Sequence, residues 1–293
     1  MKRFLTLILI VAFSSIGLVL ANGNANEMPE RNHEGIEMEM NQVIPHLHIG
    51  GGYQTVITVF NPGTGEQVAG TLIFYTQNGE RMSVEVNGEL SDEFYLTLPE
   101  GGMSEIVLGN PEEEARFGWA IFNVDTTAST PTDTSSGGYH DEAGQHLFLG
   151  VVYRRYYSNG YLATQVGSSG MRYMSGFMKG FAAPVFNNAN SSVGIAVVNS
   201  SENEITVSFL LKNTDGTLAF EKEIVLPAGN QRVYLLSDLM SDFEGINNFK
   251  GILEIRGSED GIVPLVLINS DGIQTSVPLV PIPDAMEYGG GMM

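Results

Sequence analysis

After the first forty or so residues, this chain advances in short apolar runs, each stopped by Gly, Pro or Asn. "VIPHLHI" ends at Gly50-Gly51-Gly52, "YQTVITVF" at Asn61-Pro62-Gly63, "TLIFYTQ" at Asn78-Gly79, and "FYLTL" at Pro99-Glu100-Gly101-Gly102. Runs of four to eight residues rich in Val, Ile, Thr, Phe and Tyr are too short for most helices. They suit a pleated surface that buries one face. The expected fold class is all-β, a sandwich or a barrel. Only "LLSDLMSDFEG", Leu235–Gly245, has a helical look, and it is short.

The pattern is written twice. Setting Asn61 against Asn199 places Ile57 on Ile195 and Val59 on Val197, alternate residues of one strand, as a buried face of period two requires. In the next strand Asn78-Gly79 falls on Asp215-Gly216, Leu72 on Phe209 and Phe74 on Leu211. "LPEGG" from Leu98 answers "LPAGN" from Leu226, and "GWAIFNV" from Gly118 answers "GILEIRG" from Gly251. "GVVYRRYY" from Gly150 is matched to "GIVPLVLI" from Gly261. Landmarks kept in order predict two copies of one sandwich of roughly 100 residues or more each, the size of an immunoglobulin-like domain. The expected division is a signal peptide at 1–21, a flexible acidic leader at 22–42, sandwiches at 43–170 and 171–283, and a flexible tail at 284–293. A single two-sheet domain with internal symmetry is the alternative.

"GGGYQTVITVFNP" and its echo "SSVGIAVVNS", each followed by an Asn-Gly or Asp-Gly hairpin and then Leu-Pro-x-Gly, resemble the tandem sandwich repeats of uncharacterised secreted proteins of environmental bacteria. The resemblance covers nearly all of residues 43–283 and rests on turn-and-strand patterns. It implies export and two tandem immunoglobulin-like β-sandwich domains after a signal peptide. It carries over no catalytic residue.

At the N-terminus, Lys2 and Arg3 precede an apolar run from Phe4 to Leu20, and Val19-Leu20-Ala21 offers the small residues of a cleavage site. This reads as a secretory signal peptide, so the expected location is secreted or cell-surface, with no transmembrane segment in the mature chain. An uncleaved anchor is the alternative. The sequence contains no cysteine, hence no disulfide, and its net charge of −20 opposes binding to nucleic acid.

Catalytic signatures are missing: there is no G-x-S-x-G elbow, no phosphate-cradling loop and no H-E-x-x-H. Glu112–Glu114 reads as a solvated acidic loop rather than a carboxylate pair for glycoside chemistry. His46 and His48 stand two apart in an expected strand, on one face; with His140 or His146 they would make a zinc or copper site. The plainer account is two histidines on an exposed or half-buried strand face. No cofactor is expected.

Two features point to binding. Thr126–Gln145 is a polar insertion where the second copy has only "GSEDG", and sandwiches place recognition in such end loops. Between Glu142 and Glu202 there is no acidic residue, while Arg154, Arg155, Tyr156, Tyr157, Tyr161, Arg172 and Tyr173 cluster there. Arginines interleaved with tyrosines stack on sugars and pair with acidic groups, or they face an acidic neighbour across an interdomain seam. The sequence therefore points to an exported, non-enzymatic structural, adhesive or binding protein of the cell surface or extracellular space. Its expected partner is an extracellular polysaccharide or another surface protein. A carbohydrate-binding module using residues 153–179 is the second reading. A metal-binding protein or enzyme using His46 and His48 is the third.

Overall fold

The computed structural model describes residues 41–62, 67–86, 88–125, 147–172, 179–271 and 273–282. The proposed signal peptide, most of the leader, the insertion at 126–145 and the tail lie outside these residues. The regular structure of the described chain is almost wholly antiparallel strand, so the all-β expectation holds.

The first stretch holds β1 (Gln42–Ile49), β2 (Tyr53–Phe60), β3 (Val68–Thr76), β4 (Val84–Val86), β5 (Glu89–Ser91), β6 (Glu93–Leu98), β7 (Met103–Leu108), β8 (Arg116–Val124), β9 (Phe148–Tyr156), β10 (Leu162–Ser169) and β11 (Met171–Arg172). The second holds β12 (Gly180–Asn187), β13 (Ser191–Asn199), β14 (Ile205–Lys212), β15 (Leu218–Leu226), β16 (Gln231–Leu235), β17 (Phe249–Gly257), β18 (Ile262–Ser270), β19 (Ile273–Ser276) and β20 (Val280–Ile282). The expected helix is a single turn, α1 (Leu236–Leu239).

Four sheets result. Their orders are β11-β1-β8-β3-β6 and β10-β9-β2-β7-β4-β5, then β15-β14-β17-β12-β20 and β16-β13-β18-β19. Reading the third sheet backwards, β12-β17-β14-β15 runs as β1-β8-β3-β6 does, and β19-β18-β13-β16 as β10-β9-β2-β7. Each sheet pair encloses its own apolar core. One contains Phe74, Phe122 and Ile57, the other Phe209, Ile195 and Leu253. Strict alternation builds these faces: in β14, Ile205, Val207, Phe209 and Leu211 are fully buried, and the residues between them are half-buried.

The register supports most of the sequence landmarks and corrects one. Gly118 and Gly251 occupy like positions, each where an added Cβ would lie 2.1 Å from a backbone oxygen, of Tyr75 and of Lys212 respectively. Only glycine permits that approach. Ile57, however, faces Val151 across β2 and β9, whereas Ile195 faces Val266 across β13 and β18. Gly150 therefore corresponds to Leu265, not to Gly261. Met171 and Arg172 hydrogen-bond in β11 to β1, so the change of sheet pair falls after Arg172. Gln42 opens β1 rather than closing the leader, buried with its amide donating to Leu147 O at 2.6 Å.

Buried asparagines tie the sheets of each pair together. Asn61, just past β2, donates its amide to Leu98 O and Pro99 O at 3.3 and 3.2 Å, at the end of β6 in the facing sheet. Asn199, ending β13, donates to Leu226 O at 3.0 Å, at the end of β15, and to Asn203 O at 2.7 Å. Their backbone N–H groups reach Gly102 O and Asn230 O, both at 2.9 Å.

A third apolar cluster joins the pairs to each other. Val43, Trp119, Val198 and Val263 are buried together, with Tyr75, Ile121 and Met171 packed on them. These are the residues of β1, β8, β13 and β18 that point away from their own cores. Among the described residues no helix is long and apolar enough to cross a membrane.

Asn199→Ala leaves buried carbonyl oxygens without their donor and is expected to cost about 1–3 kcal/mol, read as a lower midpoint in urea denaturation. A fragment beginning at Met174 keeps a whole core but bares Val198 and Val263. It is expected to melt cooperatively while binding an apolar dye and self-associating; the substitutions Val198→Thr and Val263→Thr should suppress the association in light scattering.

Candidate functional site

One end of the first sheet pair gathers most of the candidate residues. The Gly50–Gly52 turn, with φ of +75, +60 and +87°, folds β1 back toward β2 in the facing sheet. Its amides at Gly51 and Gly52 donate to Glu113 O at 2.6 Å and Pro111 O at 2.7 Å, and Gly52 O accepts from Tyr156 N at 2.7 Å. The turn, the 110–115 loop and the hairpin joining β9 to β10 are thus bound together.

Successive β9 residues point to opposite faces, and the two arginines separate accordingly. Arg154 approaches Glu105 Oε1 at 3.9 Å, and Arg155 lies over the Tyr53 ring, 5.8 Å from its centroid. Neither of these contacts crosses to the second sheet pair, as a seam reading of the arginines required. Tyr156 donates its hydroxyl to Gln54 Oε1 at 3.0 Å. Tyr157 and Tyr161 close the hairpin tip through Tyr157 N to Tyr161 O at 2.9 Å, and stand 62% and 72% exposed.

The chain's acid-free interval is not acid-free in space. Glu105 sits beside Arg154, and the exposed Glu112–Glu114 loop borders the glycine turn. Arg172 pairs with Gln42, at the opposite end of β1 from that turn, so it does not join the hairpin. The Arg172 side chain and Tyr173 lie outside the described residues.

His46 and His48 have their rings 6.1 Å apart. His48 stacks on Tyr53 at 3.7 Å and 16°, and touches Phe117 at 4.5 Å. Thr55 Oγ1 holds its backbone, accepting from His48 N at 3.0 Å and donating to His48 O at 2.9 Å. His46 is buried rather than exposed, between Phe117 and Tyr153 at 6.0 and 5.8 Å, and Tyr153 donates its hydroxyl to His46 O at 2.9 Å. Burial, and then the neighbouring His48, lowers the His46 pKa to about 3; burial lowers that of His48 to about 4. Burial likewise raises that of Tyr153. Both imidazoles are neutral at physiological pH. Among the described residues no three His, Cys, Asp or Glu side chains are grouped to hold a metal ion; His140 and His146 lie outside those residues.

The second sheet pair has a charged cluster with a structural task. Glu254, 8% exposed, accepts from Lys212 Nζ at 2.5 Å and from Arg256 Nε and Nη2 at 3.1 and 2.8 Å. Burial pushes its carboxyl up, but the two cations outweigh this and hold it below the usual range. A carboxylate so satisfied is a poor general base.

Sequence reasoning missed Tyr53 and Phe117, which complete the ring stack, because they come from separate strands. Only their aromatic character at strand ends signals them. Comparison with protein-family models and with curated proteins gave no match.

Replacing Tyr157 and Tyr161 together by Ser is expected to change the unfolding free energy by less than about 0.5 kcal/mol. Tyr53→Ala, which unstacks His48, is expected to cost about 1 kcal/mol or more in the same urea titration.

Proposed function

We propose that the chain is an exported, non-enzymatic binding or structural protein of the cell surface or extracellular space. In this reading it is two tandem copies of one β-sandwich, and the end of the first copy meets the partner. The single observation that carries the reading is the hairpin tip: Tyr157 and Tyr161 are 62% and 72% exposed, anchored on a bound turn, beside exposed Arg155. Large exposed rings on a rigid scaffold have no part in either core and suit contact with a partner.

The recurrence of one strand order in both sheet pairs supports the tandem reading. The likeness to an immunoglobulin domain lies in the two packed antiparallel sheets. In that fold the first strand lies beside the second and the last beside the one before it. Here β1 lies beside β8, in the sheet facing β2, and β2 lies beside β9, so the strand order differs from that fold. Export rests on the N-terminal sequence alone.

The same tip favours a carbohydrate partner over a protein one. Tyrosine faces stack on sugar rings, and arginine with nearby carboxylates supplies hydrogen bonds to hydroxyls. Glu105 and Glu112–Glu114 nearby argue for a neutral or weakly charged glycan rather than a strongly acidic one.

The chain from Asn22 onward, applied to a glycan array, is expected to bind a set of neutral glycans. Tyr157→Ser with Tyr161→Ser should lose that binding at least tenfold with an unchanged melting midpoint. Retained binding in the double variant would overturn the assignment to the tip. Metal carried through purification without a His-tag would favour the third reading, through His46 and His48.

A further inference from the structure

His46 and Gln231 meet across the seam between the two sheet pairs, away from the hairpin tip. The register of β1 against β8 slips between Ile44 and Leu47: Ile44 faces Ala120 and Leu47 faces Gly118, so β1 holds one extra residue there. Such a bulge leaves backbone groups outside the ladder. Gln231, fully buried at the start of β16, fills the gap from the other sheet pair. Its Nε2 donates to Pro45 O at 2.6 Å and Gly118 O at 2.8 Å, and stands 3.3 Å from His46 Nδ1. Reversing the amide would set its oxygen against two carbonyl oxygens, so its orientation is fixed.

With both amide protons directed at carbonyls, His46 must turn a bare Nδ1 toward that nitrogen. A proton on Nδ1 would aim N–H at N–H, and the charge would be enclosed. Among the described residues, the groups around it offer no counter-charge. From its own strand comes His48, and behind it on β2 lies Tyr53. From β8 comes Phe117; the adjacent Arg116 is turned to Glu113 and Ser83 O. From β9 comes Tyr153, with Arg155 beyond, over Tyr53. From β16 comes Arg232, bound to Gln231 O. The seam is also incompletely satisfied by the protein itself, since Trp119 Nε1 and Gln231 Oε1 are buried without a protein partner.

We propose that His46 is an acid-sensitive latch: protonation of its imidazole releases Gln231 and parts the two sheet pairs along the Val43–Trp119–Val198–Val263 cluster, while each core stays folded. In the closed form burial holds His46 at about 3 and His48 at about 4. Once solvated, His46 returns toward the ordinary imidazole value of about 6.5. Between those limits the open form binds more protons, so closure is fully favoured above about pH 6.5 and weakens as pH falls. The open-to-closed ratio rises by up to about tenfold per pH unit through release of this imidazole. A protein that meets acidified surroundings would thereby loosen from one rigid body into two linked ones.

Trp119 is the one tryptophan in the sequence and is 2% exposed in the seam, so it reports opening directly. The chain from Asn22 onward is titrated from about pH 7.5 to about pH 4, following Trp fluorescence, far-UV circular dichroism and radius of gyration. Emission should shift to the red and the radius should grow while the dichroism is unchanged, and His46→Gln should remove or markedly lower that transition. Fluorescence and dichroism lost together in the wild type, or an unchanged transition in His46→Gln, would overturn the latch. Should the variant not fold, carbon-13 NMR of the wild-type imidazoles decides. His46 titrating in step with the Trp119 shift supports the proposal, and His46 remaining neutral through opening refutes it.

Discussion

Burial of strand faces that point away from their own cores is the constraint on which the rest of this structure depends. A sandwich needs one apolar face per strand, yet Val43, Trp119, Val198 and Val263 are apolar on the other face as well, and all are buried. The two sheet pairs are therefore stacked, with β1 and β8 against β13 and β18. The burial of His46, the insertion of Gln231 into the β1 bulge and the exclusion of water from Trp119 all follow from that contact. Without it, each would sit on a solvated sheet.

Polar side chains in the interior are spent on holding backbone. Gln42, Asn61, Asn187, Asn199 and Gln231 each donate to backbone carbonyl oxygens. An amide suits this task because it is neutral, so burying it costs far less than burying a charge. Glu254 is the charged exception, and it needs both Lys212 and Arg256 to be tolerated. A molecule whose buried polar groups serve its own architecture leaves the surface to act, and the exposed tyrosines of the β9–β10 turn are the feature of that surface least explained by folding.

The strands were legible because period-two alternation and Gly, Pro and Asn punctuation are local. Asn61 and Asn199, which the sequence sets against each other, each donate an amide to a backbone carbonyl oxygen of the facing sheet. That Gly150 corresponds to Leu265, four residues beyond Gly261, was not legible, because strand pairing rather than a shared glycine decides the register. A near-continuous apolar run such as "IVPLVLI" does signal a strand buried on both faces, and β18 is one. What the run could not name was the surface that would cover it. The Tyr/Arg stretch was legible as a cluster along the chain, and the fold divided it: Arg154 and Arg155 face opposite ways, and Arg172 lies at the far end of β1.

The sequence by itself determined the all-β class, the absence of disulfides, the turn positions and the faces that make each core, since these rest on neighbours within a few residues. Tertiary structure alone decided that sequence-distant Glu105 and Glu112–Glu114 approach the arginine-bearing end, that His46 is enclosed beside Gln231, and that Tyr53, His48 and Phe117 form one stack. Those contacts join residues from different strands, and their distances depend on sheet order and register. Both are set by the summed burial of whole faces, which no short stretch of sequence contains.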